Sequence, residues 1–459
     1  MANPIKAIKR IQVRGLFGTY DYDLFPSSLV SHPERLLILY GDNGSGKTTI
    51  LRILFHLLAP EDGKGHKTQV ARIPFNRFEV DFTSGERVWA KRNGEHITGT
   101  FTMGLRLNGK KESSVELVAN EEGVIKAITD EQNIKIKAFL SKLQQLNIGL
   151  YLLSDDRTVR LAGKEGREIP FVRPDLIDDE ALFYHDWPTN ARIARGKELQ
   201  IQAQQLLVES IKRAEMWIQS QAVRGAAQGE SDVNTLYGAI LKRISSLPLK
   251  DSQGGERTVP DLENRIEQLE TRSKRYAQYG LLPEFSGRDI LSIMKEAPTS
   301  HITLITNVVV PYVESVEKKL DAMERLQRQI DALVRIVNSF FTRKKLVFEI
   351  HAGFDIVNDS GKKLAPHMLS SGERHLLLLF CNTLIALDRQ SIFIIDEPEI
   401  SLNIKWQRKL LASLLECAGE NPVQYIFATH SFELLAQHKD NTIKLTEVLE
   451  GPNGREANT

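Results

Sequence analysis

Apolar positions change their spacing along this chain, and the changes predict three regions. Near the start Ile8, Ile11, Val13 and Leu16 sit among basic residues in a strand-like run that Gly15 and Gly18 break. The unbroken run Arg35-Leu36-Leu37-Ile38-Leu39-Tyr40 ends in glycine-rich sequence and predicts a fully buried strand. A helix follows over residues 50–58 and stops at Pro60. Residues 76–106 alternate polar and apolar around Ser84-Gly85 and Asn93-Gly94, the pattern of antiparallel strands joined by hairpins. These elements form a first region, residues 1–160.

Residues 161–345 read as mostly helical. Leu199, Ala203, Leu207, Ile211, Ala214 and Ile218 recur every three or four positions. A stronger stripe runs through Val313, Val316, Leu320, Met323, Gln327, Ile330, Val334, Val337 and Phe341, where only Gln327 is polar. It fits a helix in a bundle or an arm of a short antiparallel coiled coil, and the stripe alone leaves both open. Residues 224–233 and 250–257 are polar and glycine-rich and predict exposed connections. Residues 346–459 return to strands: 346–350 and 354–357, the second ending in Asp359-Ser360-Gly361. A helix (373–387), a buried strand (391–395), a helix (404–416) and a strand (424–428) follow. Strands alternating with helices at both ends, with helices between, describe an α/β domain split by an insertion.

Composition narrows the setting. With 459 residues the chain has room for about three domains at roughly 150 residues each. Sixty basic residues against 59 acidic ones exclude a polybasic binder and an acidic tail, though not a local basic patch. Cys381 and Cys417 are the only cysteines, which excludes a disulfide framework and a four-cysteine zinc site. Met1 to Lys6 lacks the apolar run of a signal peptide, and the richest apolar stretch, 376–387, is too short to span a bilayer. A cytoplasmic, reducing setting with no membrane is the expectation.

The chemistry-bearing residues lie at predicted strand ends. Gly41-Asp42-Asn43-Gly44-Ser45-Gly46-Lys47-Thr48-Thr49 has the spacing of a phosphate loop, between a buried strand and a helix. Glycines there let backbone N–H groups converge on phosphate at the positive end of the next helix. Lys47 would reach the β- and γ-phosphates of ATP, and the Thr48 hydroxyl would coordinate Mg²⁺. The strand Ser391-Ile392-Phe393-Ile394-Ile395 ends in Asp396-Glu397-Pro398. Asp396 is placed to hold Mg²⁺ through water, and Glu397 to orient or deprotonate the attacking water. A solvated acid pair closing a core strand is the plainer reading of these two residues, and it weakens beside the phosphate loop.

Three further segments complete a series. Leu369-Ser370-Ser371-Gly372-Glu373-Arg374 resembles the signature of the ATP-binding-cassette (ABC) ATPases, with Ser371 in place of its first glycine. Glu399-Ile400-Ser401-Leu402-Asn403 occupies the place of the D-loop, and Ala428-Thr429-His430-Ser431 that of the switch histidine. The order and the long insertion resemble the SMC, RecF and OLD branch of soluble ABC ATPases. This resemblance implies an ABC-type P-loop ATPase head split by a mainly helical insertion. It implies that Asn43, Gly44, Ser45, Gly46, Lys47, Thr48 and Thr49 bind nucleotide, with Arg14 touching it from the N-terminal strand. His430 would contact the γ-phosphate, while Ser401 and Asn403 serve the D-loop. The signature residues Ser370, Ser371, Gly372 and Glu373 would act on ATP held by a second copy, in a head-to-tail dimer that can stack further. The segment from Ile148 to Arg157 lacks the glutamine of a Q-loop and resembles the strand-plus-Asp-Arg segment of OLD-like proteins.

No acidic metal site of a TOPRIM nuclease follows Val448. Together with the size and the short helical insertion, this resembles most the stand-alone ATPase subunits of bacterial antiphage systems: the AriA type of PARIS, with the PtuA type of Septu as rival. It implies a sensor and scaffold that holds a separate toxic nuclease and releases it on infection, with a phage protein or DNA as trigger. The alternative is a DNA-repair or DNA-binding ATPase of the SMC/RecF kind, supported by Lys6, Lys9, Arg10, Arg14 and Arg343-Lys344-Lys345.

Overall fold

The computed structural model describes residues 6–25, 35–94, 96–154, 159–162, 205–227, 258–436 and 438–445. The chain forms two compact units, residues 1–206 with 386–459, and residues 207–385.

Unbroken apolar runs became the parallel strands of the first unit. β3 (Leu36–Tyr40), β8 (Gly149–Leu153), β13 (Ser391–Asp396), β14 (Val423–Thr429) and β15 (Thr442–Lys444) run parallel, and β9 (Val159–Ala162) joins β8 antiparallel. Their order is β15-β3-β14-β13-β8-β9. Every residue of β13 and β14 is buried, which is why neither alternates. The alternating segments made a second, antiparallel sheet, β2-β1-β4-β5-β6-β7. Its strands are β1 (Ile8–Leu16), β2 (Tyr20–Leu24), β4 (Arg77–Phe82), β5 (Arg87–Arg92), β6 (Phe101–Arg106) and β7 (Ser113–Leu117). Polar positions of this sheet carry ion pairs such as Arg10–Asp23 and Arg87–Asp81.

Helix α1 (Lys47–Leu58) packs on β8, β13 and β14 of one sheet and on β5 of the other. That double contact accounts for its apolar residues on nearly every side, since Ile50, Leu51, Ile53, Leu54, Phe55, Leu57 and Leu58 are all buried. A buried amide stitches the sheets: Gln424 Oε1 accepts from Ile8 N (2.7 Å), and Gln424 Nε2 donates to Ile8 O (2.9 Å).

Two buried cations hold helix ends. Lys67 Nζ donates to the carbonyls of His56, Leu57 and Ala59 at the end of α1, and burial pushes its pKa down to about 7. Arg92 donates to Val70, Ala71 and Ile73 around the end of α2 (His66–Arg72), and to Phe75 and Gly99. Its guanidinium also lies over the Phe75 and Phe101 rings. Carbonyls left over at a helix end need such donors when water is excluded.

The second unit is largely helical. It contains α4 (described over 205–227), α5 (Thr258–Ala277), α6 (Arg288–Glu296), α7 (Thr299–Phe340) and α8 (Ser371–Ala386), with α8 reaching its boundary. A small sheet holds β10 (Lys344–Glu349), β11 (Gly353–Asn358) and β12 (Lys363–Leu364). Of the nine stripe residues, which follow α7 to its C-cap Phe341, seven are buried, with Val316 and Val334 half-buried. Leu326, Leu333, Ile336 and Phe340 are buried too, so the apolar face is wider than a coiled-coil seam. Arg265–Glu317, Arg272–Glu324 and Tyr279–Asp331 advance together by seven residues on both sides, so α5 runs parallel to α7. The pairing of α5 with α7 is therefore that of parallel neighbours.

Other expectations change at particular residues. Residues 224–227 continue α4 instead of opening a loop, because a side chain on Gly225 would meet Met323 Sδ at 2.7 Å and glycine permits that approach. Residues 228–233 and 250–257, with Leu199 and Ala203, lie outside the described residues.

Replacing Arg92 with Met should remove a donor from five carbonyls, three of them buried. We expect a loss of about 3 kcal/mol in urea unfolding with an unchanged denaturant slope. A loss below about 1 kcal/mol would show that water or neighbouring groups satisfy those carbonyls without it.

Candidate nucleotide site

The parallel register brings separate sequence segments to one sheet edge. Thr429 pairs with Tyr40, and Asp396 with Ala428, so β3, β14 and β13 end side by side. Beyond those ends stand Gly41, His430 and Glu397. Ligands of open α/β sheets bind at this carboxyl edge.

At Gly44 and Gly46 the loop turns through φ of +85°, a backbone that side chains rarely adopt. Gly46 is also the N-cap of α1, and the helix has neither a side-chain cap nor an acid in its first turn. Its first N–H groups therefore remain directed at the loop, where they and the helix dipole favour an anion. Lys47 is 6% exposed, and its Nζ donates to Gly41 O and Asp42 O, both at 2.8 Å. Those bonds hold the ammonium against the loop. Thr48 and Thr49 are half-buried at the helix start, whereas Asn43 is exposed. Ser45 accepts at its carbonyl from Tyr22 Oη (2.9 Å).

The N-terminal strand supports the same loop. A side chain on Gly46 would meet Leu16 Cδ2 at 2.7 Å, so Leu16 already fills that space. Arg14, two residues earlier, lies 3.8 Å from Asp21. Gly15 takes φ +61° and its N–H donates to Asp21 Oδ1.

Asp396 is 3% exposed at the last position of β13. Glu397 follows at φ +46° while its N–H donates to Ala428 O (2.9 Å). A non-glycine residue in that conformation carries backbone strain, which here turns the glutamate out of the strand. Its Oε1 lies 3.4 Å from His430 Nδ1. Glu399 sits 3.5 Å from the same nitrogen and is 6% exposed. In the sequence Glu399 lies in the D-loop segment and carries no role of its own. The adjoining Ser401 has φ +66°, and Asn403 caps α9 (Ile404–Ala418) by accepting from Trp406 N. The short helix α10 (Phe432–Leu435) follows His430 and Ser431.

The signature segment belongs to the helical unit. Ser370 and Glu373 form a reciprocal cap at the start of α8: Ser370 N donates to Glu373 Oε2 (2.7 Å), and Glu373 N to Ser370 Oγ (3.2 Å). Lys344 Nζ also donates to Glu373 Oε2 (2.8 Å), and these bonds hold the carboxyl below its usual range despite desolvation, which acts against them. Ser370 thus serves as a helix cap while its hydroxyl keeps a proton to donate. Ser371 is exposed and Gly372 buried. Of the segment in the Q-loop position, Gly149–Leu153 is the buried strand β8, while Asp155, Asp156 and Arg157 lie outside the described residues.

The family model AAA_15, described as AAA ATPase domain, matches residues 27–435. A Clostridium acetobutylicum protein bearing the name of an ABC transporter ATP-binding protein is 26% identical over 113 residues. That match covers 24% of this chain and only 39% of the relative's length. The Smc head domain of Pyrococcus furiosus, solved with an extended coiled coil and bound to the C-terminal domain of ScpA, is similar at 12% identity and TM-score 0.37. The alignment covers 96% of this chain and 93% of that one. The SMC head domain of Thermotoga maritima is similar at 12% identity and TM-score 0.33, over 94% and 91% of the two chains. The match to the family model spans most of the sequence, and the chain belongs to the AAA ATPase domain family.

The two loop glycines separate strain from crowding. Gly44 faces open space at the same φ as Gly46, which is also crowded by Leu16. Gly46→Ala should lower the melting temperature more than Gly44→Ala, whose strain alone is worth about 1–2 kcal/mol. Equal losses in a thermal melt would refute the contact between Leu16 and the loop.

Proposed function

We propose that the chain is a Mg²⁺-dependent ATPase of the ABC type, built like the heads of the SMC and RecF branch. The observation that carries this reading is the convergence of Lys47, Asp396, Glu397 and His430 at adjoining ends of three parallel strands. Phosphate would lie on the N–H groups of Gly44 to Thr49, with the Lys47 ammonium turning from the Gly41 and Asp42 carbonyls toward it. The Thr48 hydroxyl and the buried Asp396 carboxylate are hard oxygen donors of the kind Mg²⁺ takes. Bound there, Mg²⁺ would neutralise charge on the phosphate oxygens. Glu397 would orient and deprotonate the attacking water, and His430 would face the terminal phosphate.

The residues after α7 supply the second half of the reading. Ser370, Ser371, Gly372 and Glu373 would act on ATP held at Lys47 of another copy, with Ser401 and Asn403 at the seam. ATP would then stabilise a head-to-tail pair by linkage. In this reading the head is built from residues 1–160 and 346–459, with 161–345 inserted.

The cellular role we propose is a defence scaffold of the AriA type that holds a separate TOPRIM-type nuclease and releases it on infection. Its support is the ordered motif series together with a helical insertion. For the DNA-binding alternative, the fold is less favourable. Lys6 pairs with Glu86, Arg10 with Asp23, Arg14 with Asp21 and Lys344 with Glu373, so much of the candidate basic surface is neutralised within the chain. Among the described residues no helix is long and apolar enough to cross a membrane.

Two experiments test the reading. Lys47→Ala should abolish ATP binding in equilibrium dialysis, while Glu397→Gln should bind ATP and hydrolyse it about 10²–10⁴-fold more slowly. A folded Lys47→Ala protein with unchanged affinity would overturn the site. For the shared site, inactive Lys47→Ala and Ser370→Ala proteins should regain ATPase activity when mixed. If they associate and stay inactive, each copy does not complete the other's site.

A further inference from the structure

We infer that Glu399 is a positioning residue that fixes the ring of His430, an inference that rests on the hydrolysis reading above. Its side chain is buried and one oxygen gathers the contacts. Glu399 Oε1 accepts from Thr429 Oγ1 (2.5 Å) and from His430 N (3.2 Å), and lies 3.5 Å from His430 Nδ1. The hydroxyl it holds in turn accepts from Ser431 N (2.9 Å). One carboxylate therefore ties down the backbone on both sides of the histidine and stands 3.5 Å from its ring nitrogen.

Burial makes a purely packing role unfavourable. A carboxylate withdrawn from water is costly unless donors surround it, and an apolar side chain of similar volume would fill the same space at less cost. Here Oε2 is buried and has no hydrogen-bond partner among the described residues. The charge is retained where it faces an imidazole. Glu397 Oε1 approaches the same Nδ1 at 3.4 Å, so two carboxylates address one ring nitrogen. An acceptor on that side favours the tautomer with hydrogen on Nδ1 and leaves Nε2 for the water or the phosphate. Glu397 has a second task, activating water; Glu399, held by Thr429, keeps the ring in place while Glu397 works.

The test reads the ring directly. In protein labelled with ¹⁵N-histidine, ring-nitrogen shifts report the tautomer without nucleotide, with His430 signals assigned by His430→Gln. Wild-type His430 should carry hydrogen on Nδ1. In Glu399→Gln its ring shifts should move toward a mixture, and kcat should fall about tenfold or more with KM unchanged. Thr429→Val, which removes the hydroxyl holding Glu399, should move the same signals in the same direction if Glu399→Gln fails to fold. Unchanged His430 shifts in the folded variants, or a change confined to KM, would overturn the inference. Absence of turnover by the unsubstituted protein would instead remove the hydrolysis reading, and the ring spectrum still decides whether Glu399 holds His430.

Discussion

The register of three parallel strands is the constraint on which the candidate site depends. β3, β14 and β13 each end where a reactive segment begins, and their pairing sets those ends level. A slip of one residue between β13 and β14 would reverse which side chains face each layer and carry Glu397 away from His430. Burial on both faces makes such a slip costly, because both helical and sheet neighbours would lose their complement. The Gln424 amide adds a second lock, since its two hydrogen bonds to Ile8 tolerate no shift of β14 against the antiparallel sheet.

That rigidity also lets the site keep strained backbone. Glu397 and Ser401 both lie at positive φ within a few residues of each other. Such conformations persist only when the surroundings over-determine them. For Glu397 the determinant is visible: its N–H continues the β14 ladder to Ala428 after the strand has ended, which fixes the turn that sends the side chain outward. α1 is secured from its far end, where Lys67 binds three carbonyls, so the helix that begins at the phosphate loop is anchored at both termini.

What was legible in the sequence was local. The runs at 35–40 and 391–395 announced buried strands, and the glycine spacing announced the loop, because each signal lies within a few adjacent residues. β7 and α3 (Asp130–Leu143) left weaker marks and are not read from the pattern, and α5 and α6 are read only as part of a mostly helical region. In α5 the pattern is dominated by charges such as Arg265 and Arg272, whose partners lie 52 residues away on α7. The roles of Arg92 and Glu399 were hidden for the same reason. An arginine at the end of a strand and a glutamate after Asp-Glu-Pro both look like solvated surface until distant carbonyls, or the end of another strand, surround them. The histidine was legible as a candidate; the second acid that holds it was not.

The helix starts at the motif segments differ in a way that assigns them different electrostatic tasks. α9 has one of its first N–H groups, that of Trp406, engaged by the Asn403 side chain, and α1 has no side-chain cap at all. α8 lies between these cases, because Ser370 and Glu373 cap it reciprocally and so place a carboxylate at its positive end. Left alone, that carboxylate would repel a phosphate approaching Ser370. Lys344 offsets it at 2.8 Å, which returns the local charge toward neutrality and leaves the remaining N–H groups and the Ser370 hydroxyl to act on an anion. On the proposed reading, the uncapped helix would bear the main phosphate charge and the capped one would make a weaker, conditional contact. Lys344 lies just beyond the end of α7, so the position of that long helix and the charge at the start of α8 are linked through one side chain.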